Sequence, residues 1–299
     1  MIIKDEREQV IDNIRAAILE GDFHRKVEVG DPVLAAVQKE KLLSWYLKEK
    51  NTLHFKGKTL AARKVANVAT RQINRMTVIR GIEHASMIRS GAIVTSNHFN
   101  PIDNTIVRYL AWNLGKDRLP IVSQVTNLAM TGLVGFLMKY ADILPISDIP
   151  GYMTADFEPL LKKELDEKNY VLIYPEQEMW FNYQKPRPLK RGAYYYAAKF
   201  QVPVISCFVE MRAQQQLQTP MFHEVQYVMH VLPTIYPDSA KTVRENSFAM
   251  CAQDYEQKKH AYEEIRREPL NYTFQEKDIA GWVQPPQTDG FSPKQLAGK

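Results

Sequence analysis

Between Met76 and Glu210, short runs of β-branched residues alternate with segments of helical period, and that alternation limits what the chain can become. Strands are predicted over residues 76–82, 91–96, 119–125, 143–146, 170–174 and 202–210, and helices over 104–114, 128–140, 155–168 and 190–200. Parallel neighbours need a crossover of about a dozen residues, usually a helix, and these intervals supply one after nearly every strand. The expected fold class is therefore α/β, a single largely parallel sheet covered by helices. A last strand is predicted over 225–235. A charged helix over 243–267 should turn Phe248, Cys251, Tyr255, Tyr262 and Ile265 inward. Ahead of the sheet, Val10, Ile11, Ile14 and Ile18 mark one added helix ending near Gly21. Leu34, Val37, Leu42, Trp45 and Tyr46 mark a second, starting after Asp31 and Pro32. The expected organisation is an N-terminal helical region over 1–75, an α/β domain over 76–283 and a loosely held tail over 284–299, rich in Pro, Gly, Gln and Ser.

One strand carries the chemistry. Residues 93–103 read Ile-Val-Thr-Ser-Asn-His-Phe-Asn-Pro-Ile-Asp: a buried-strand pattern, then a turn at Asn100 and Pro101. His98 thus falls where a strand ends, with its backbone fixed and its imidazole able to face a cleft, as a general base requires. Asp103 lies close enough to accept a hydrogen bond from the other ring nitrogen, fixing the tautomer and stabilising the imidazolium. The structural alternative is that Asp103 caps the next helix and His98 is a satisfied core residue.

Charge and composition narrow the partners. A formal net charge of +5 and a pI near 8.9 suit an anionic membrane surface, an acidic carrier or a phosphorylated substrate. Nucleic acid is disfavoured, because no zinc-ligand spacing, RNA-binding aromatic motif or long basic arm is present. Residues 56–80 hold Lys56, Lys58, Arg63, Lys64, Arg71, Arg75 and Arg80 with no Asp or Glu, while Ala61, Val65, Val68, Ala69, Ile73 and Met76 recur at helical spacing. Such a helix either lies in lipid headgroups or packs on the core with a basic outer face. Cys207 and Cys251 are too few for a disulfide framework or a metal site, and read as reduced and structural. The charged start, Lys4 to Glu8, lacks the apolar core of a signal peptide, and no run of eighteen apolar residues occurs. The expected location is cytoplasmic, with peripheral contact on the inner face of the cell membrane.

Taken together, Ile82-Glu83, Ser90-Gly91 and residues 93–98, then Tyr174-Pro175-Glu176, Leu189-Lys190-Arg191-Gly192-Ala193 and Val202-Pro203-Val204-Ile205, resemble in order the motifs of the PlsC-like lysophospholipid and glycerolipid acyltransferases. The resemblance spans about residues 78–208. It implies a glycerolipid-acyltransferase-like fold and attack of an acceptor hydroxyl on an acyl thioester, with His98 as general base and Asp103 orienting it. It implies no bound cofactor and no metal, with acyl-CoA or acyl carrier protein as co-substrate. Acceptor binding is expected at Glu176, Lys185, Arg187 and Lys190, although Glu176 is equally suited to ordering its loop through Arg187 or Lys190.

Two departures affect the acceptor. Where phosphatidate-forming members carry Glu-Gly-Thr-Arg-Ser, this chain has Glu176-Gln177-Glu178-Met179-Trp180, and Ser147 stands where an arginine is usual. Either the acceptor lacks the glycerol phosphate, or Lys185, Arg187, Lys190 and Arg191 bind it from a remodelled loop. Residues 179–183, Met-Trp-Phe-Asn-Tyr, suit a membrane-interface patch, an acceptor wall or a packed loop. The leading expectation is O-acyl transfer to a lysophospholipid or glycolipid. Its rivals are an acyltransferase for a non-lipid acceptor and a noncatalytic lipid-binding or scaffold protein.

Overall fold

A computed structural model describes residues 4–283, so the expected tail at 284–299 lies outside the described residues. The elements in chain order are α1 (Lys4–Leu19), α2 (Ala36–Glu49), α3 (Leu53–Ile73), β1 (Val78–Arg80), α4 (Glu83–Ser86), β2 (Ala92–Thr95), α5 (Asn104–Asn113), β3 (Ile121–Gln124), α6 (Gly132–Tyr140), β4 (Ile143–Ile146), α7 (Glu158–Asp166), β5 (Tyr170–Leu172), α8 (Gly192–Phe200), β6 (Val204–Thr219), β7 (Phe222–Val231) and α9 (Val243–Arg266). The strands form one seven-stranded sheet in the order β1-β7-β6-β2-β5-β3-β4. Every pairing is parallel except β6 with β7. The expected α/β fold, a single largely parallel sheet covered by helices with added N-terminal helices, is what the chain adopts.

β2 is central, between β5 and β6, and all four of its residues are buried. That explains its unbroken apolar reading, since a strand covered on both faces has no polar side to alternate with. Gly91, just before it, lies so close to α7 that an added Cβ would meet the Leu165 carbonyl oxygen at 2.2 Å, so only glycine lets the strand enter there.

The main differences from the expected elements lie at the antiparallel pair. β6 runs on to Thr219, well beyond residue 210, and returns through β7. Val204 to Val209 are buried, whereas Arg212 to Gln218 are exposed, so the far half is a polar ribbon without the apolar alternation that marks a half-buried strand. In α9 the inward face carries Met250, Ala261 and Tyr262 but also Asp254 and Lys258, both fully buried. Phe248, expected to face inward, is half exposed under the Arg191 guanidinium, 3.8 Å from its ring centre. Asp254 accepts from Thr95 Oγ1 at 2.7 Å and also from Tyr194, Ser206 and Lys258, so the ion pair on α9 is tied to β2, β6 and α8.

The N-terminal helices share in the cores. Leu43 and Tyr46 of α2 and Phe55 and Ala62 of α3 join the main cluster around the sheet. Val10, Ile11, Ile14 and Ile18 of α1 form a second cluster with Trp180, Phe181, Tyr183, Phe222 and Ile279. On α3 the apolar face divides. Ala62, Ala66, Ala69 and Ile73 turn inward, while Leu53, Leu60, Val65 and Val68 are exposed.

Candidate active site

His98 lies three residues past the end of β2, and Tyr174 lies two residues past the end of β5, its parallel neighbour with Val94 opposite Leu172. Two adjacent parallel strands therefore deliver their next side chains to the same crevice at their carboxyl ends, where open α/β sheets place their sites. The rings stack, with centroids 3.9 Å apart and planes 12° from parallel.

Asp103 occupies the cap position before α5, yet its side chain makes no bond to the helix amides. It turns back instead. Oδ2 accepts from His98 Nδ1 at 2.8 Å, Phe99 N–H at 2.9 Å and Asn100 N–H at 3.2 Å, and Oδ1 accepts from the Tyr174 hydroxyl at 2.5 Å. With a carboxylate that only accepts, Nδ1 must carry the proton, which leaves the lone pair of neutral His98 on Nε2. Burial, then the Asp103 charge and hydrogen bond, push the Tyr174 phenol well above its usual range, so it remains a donor. Nε2 has no hydrogen-bond partner among the described residues, and the His98 side chain is 21% exposed.

Glu176 secures this strand end from the other side. Its Oε2 accepts from the His98 backbone N–H at 3.1 Å and from Arg187 Nη2 at 3.0 Å, and Oε1 accepts from Arg187 N–H at 2.9 Å. The next residue, Gln177, is left-handed with φ 68°, a conformation glycine adopts at no cost. Gln177 thus holds a glycine-like backbone with a side chain attached. The following loop is pinned to the site by Trp180 N–H to His98 O at 3.0 Å and Asn182 N–H to Phe99 O at 2.8 Å.

His98 and Asp103 open into a cavity of about 1500 Å³, above the roughly 300–1,000 Å³ of a common small-molecule site. One part of its wall is apolar, with Ala66, Ala69, Ile121, Leu137, Ile143 and Phe157. Another part carries Lys26, Glu28, Asp31, Glu178 and Lys190. Glu28 is pushed up to about 8, chiefly by burial and then by the nearby Asp31 charge.

Of the four expected acceptor-binding residues, only Lys190 lines this cavity. Glu176 and Arg187 hold each other, with Arg187 also donating to Phe23 O at 3.1 Å and lying over the Trp180 ring. Lys185 is buried against Asp278 at 2.7 Å and donates to Thr273 O at 2.9 Å. A buried cation already neutralised by a carboxylate, with two of its three N–H donors taken, has little left for a ligand. Of residues 179–183, Trp180, Phe181 and Tyr183 are buried in the second core, and Met179, Phe181 and Asn182 line the cavity. Ser147 is 6% exposed and accepts from Ile149 N–H at 3.3 Å.

Sequence reasoning assigned no role to Tyr174, Glu28 or Arg108. The signal for Tyr174 was its place at the end of the strand predicted over 170–174, in a sheet expected to be largely parallel. Arg108 was hidden inside an amphipathic helix, where one cation reads as part of the solvated face. Among the described residues no group of three or more His, Cys, Asp or Glu is placed to hold a metal.

Residues 68–210 match the sequence model of the family described as Acyltransferase, a segment that contains β1 to β5, His98, Asp103 and Glu176. The likeness to that family rests on this segment. No curated protein matches it. Among solved structures it is similar to the 1-acyl-sn-glycerophosphate (LPA) acyltransferase PlsC from Thermotoga maritima, at 12% identity and a TM-score of 0.48, covering 88% of this chain and 98% of that one.

Proposed function

We propose that the protein transfers a fatty acyl group from an acyl thioester to a hydroxyl of a lysophospholipid or glycolipid, with His98 as general base. The observation that carries this reading is the Nδ1 contact of 2.8 Å to a fully engaged Asp103, with Nε2 unpartnered in a large, partly apolar cavity. The acceptor oxygen attacks the thioester carbonyl carbon as its proton passes to Nε2. The C–S bond then breaks, and the thiolate takes the proton back from the imidazolium. An alcohol is a poor nucleophile at neutral pH, and a positioned base contributes roughly 100-fold to 10,000-fold. The Asp103 carboxylate stabilises the imidazolium between the two proton transfers, and Tyr174 and Glu176 act as positioning residues.

The donor is acyl-CoA or acyl carrier protein, whose anionic character suits the basic chain. Residues 76–283 form the catalytic part and residues 1–75 its docking part, and within the latter α3 is the better candidate for membrane contact. Leu53, Leu60, Lys64, Val68, Arg71 and Arg75 share one exposed face of that segment, and Leu133 and Val134 of α6, which packs on α3, are also exposed. No described helix is long and apolar enough to cross a membrane. Peripheral contact with an anionic inner-membrane surface predicts vesicle binding that requires anionic lipid and falls with salt; binding indifferent to both removes it.

The test of function offers the protein both donors with a panel of lysolipids and glycolipids, reading thiol release and identifying products by mass spectrometry. Product formation that falls at least about 100-fold on His98→Ala supports the reading, and formation at the wild-type rate overturns it.

A further inference from the structure

Arg108 is 1% exposed, and neither its Nε nor its Nη1 finds a hydrogen-bond partner among the described residues. It lines the cavity that holds His98, one turn along α5 from Asn104 and Thr105, which line it too. The small side chains of Ala66 and Ala69 on α3 line the same cavity. The carboxylate that most favours its charge, Asp142, is already occupied. Arg63 grips it through Nε at 2.7 Å and Nη2 at 2.6 Å, and Arg118 approaches at 3.2 Å while pairing with Glu164 at 2.8 Å. Three guanidiniums thus meet three carboxylates, Asp142, Glu164 and, at 3.8 Å from Arg118, Glu167, and every one of these ion pairs goes to Arg63 or Arg118 and none to Arg108. Burial lowers the Arg108 affinity for its proton; the Asp142 charge opposes that, and the Arg63 and Arg118 charges add to it. A charge held this way is costly without a counter-charge, and arginine cannot shed its proton to escape.

We propose that Arg108 forms an oxyanion subsite in the cavity, taking a carboxylate or phosphate carried by one of the two substrates. The guanidinium fork matches either group through paired hydrogen bonds. One source is a phosphate on the acceptor, which the chain cannot hold at Ser147 or with Glu176, Lys185 and Arg187, all committed elsewhere. The other is a carboxylate at the far end of the acyl group, brought in along the apolar walls at Ile121, Leu137 and Ile143. The kinetic consequence rests on the acyl-transfer reading; the binding consequence does not.

The test compares wild type, Arg108→Lys and Arg108→Met. In thermal melts, glycerol 3-phosphate or pentanoate should raise the wild-type Tm where glycerol and pentanol do not, Arg108→Lys should keep part of the shift, and Arg108→Met should lose it. Arg108→Met without ligand should melt no lower than wild type, because it removes an unneutralised charge. In turnover, lysophosphatidate is paired with monoacylglycerol, and a hexadecanoyl thioester with its ω-carboxylated counterpart. Arg108→Met should lower kcat/KM for the anionic member of one pair at least tenfold more than for its neutral partner, and that pair names the source. The proposal is overturned by an anion shift that is absent in wild type or unchanged in Arg108→Met, or by equal losses across both pairs. Should wild type acylate none of these acceptors, the acyl-transfer reading fails, while the melting shifts still decide Arg108.

Discussion

Replacing Asp103 by Asn separates the charge of the pair from its geometry. In the wild type, Oδ2 faces three N–H donors and Oδ1 faces one hydroxyl, which rotates freely. An asparagine fits with its carbonyl oxygen toward the three N–H groups and its amide toward Tyr174, whose hydroxyl turns to accept. His98 then keeps its orientation and its Nδ1 proton, and only the negative charge is lost. With charge centres about 4 Å apart and an effective dielectric near 20, that charge stabilises the imidazolium by about 4 kcal/mol, roughly a thousandfold in rate. Asp103→Asn should therefore lower kcat about a thousandfold, with KM and Tm near wild type, in a thiol-release assay run beside thermal melts. Asp103→Ala is a poorer probe, since it strands the Phe99 and Asn100 amides at about 1–3 kcal/mol each. An Asp103→Asn enzyme within tenfold of wild type would refute the electrostatic role, and a Tm collapse would show that Asp103 serves the fold instead.

Other consequences are independent of this pair. Glu28, raised from 4.5 to about 8, binds its proton more tightly in the folded state, so it withdraws stability as pH rises from about 4.5 through 8. Glu28→Gln should match wild type in Tm near pH 4 and exceed it above pH 8; a gap constant with pH would contradict this. Asp254→Asn or Lys258→Met strands a buried charge and should each cost about 3–5 kcal/mol in denaturant unfolding, with the double variant milder than their sum. Burial pushes the Cys207 thiol up to about 12 and Cys251 up to about 11, so native protein at pH 8 should resist alkylation that proceeds once denatured. Gln177→Gly removes a side chain from a left-handed residue and should leave Tm unchanged or higher.

The sequence made the central sheet legible where burial was two-sided. β2, β4 and β5 are short apolar runs, and their order with the intervening helices left a parallel sheet as the natural arrangement. It also brought His98 and Asp103 together, because the turn at Asn100 and Pro101 is local. What escaped was polar structure. The outer half of β6 has no apolar alternation to betray it, and the Asp254–Lys258 pair at i,i+4 reads as an exposed helical ion pair although it lies at the centre of a buried network. The same blindness covered the loop after β5. Lys185 and Arg187 looked available for an acceptor because sequence shows cations but not their partners, and Asp278 lies 93 residues from Lys185. Arg108 reverses that error, a cation that reads as surface and is buried without a hydrogen-bond partner among the described residues.

The proposed mechanism stands on the His98 Nε2 lone pair accepting the acceptor's proton. The most direct measurement is single-turnover acyl transfer by wild type and His98→Ala on the same thioester and the acceptor found active in the product screen, with melts confirming an intact fold. A loss of about 100-fold to 10,000-fold in the transfer step at unchanged Tm is expected. Transfer by folded His98→Ala at the wild-type rate would contradict it.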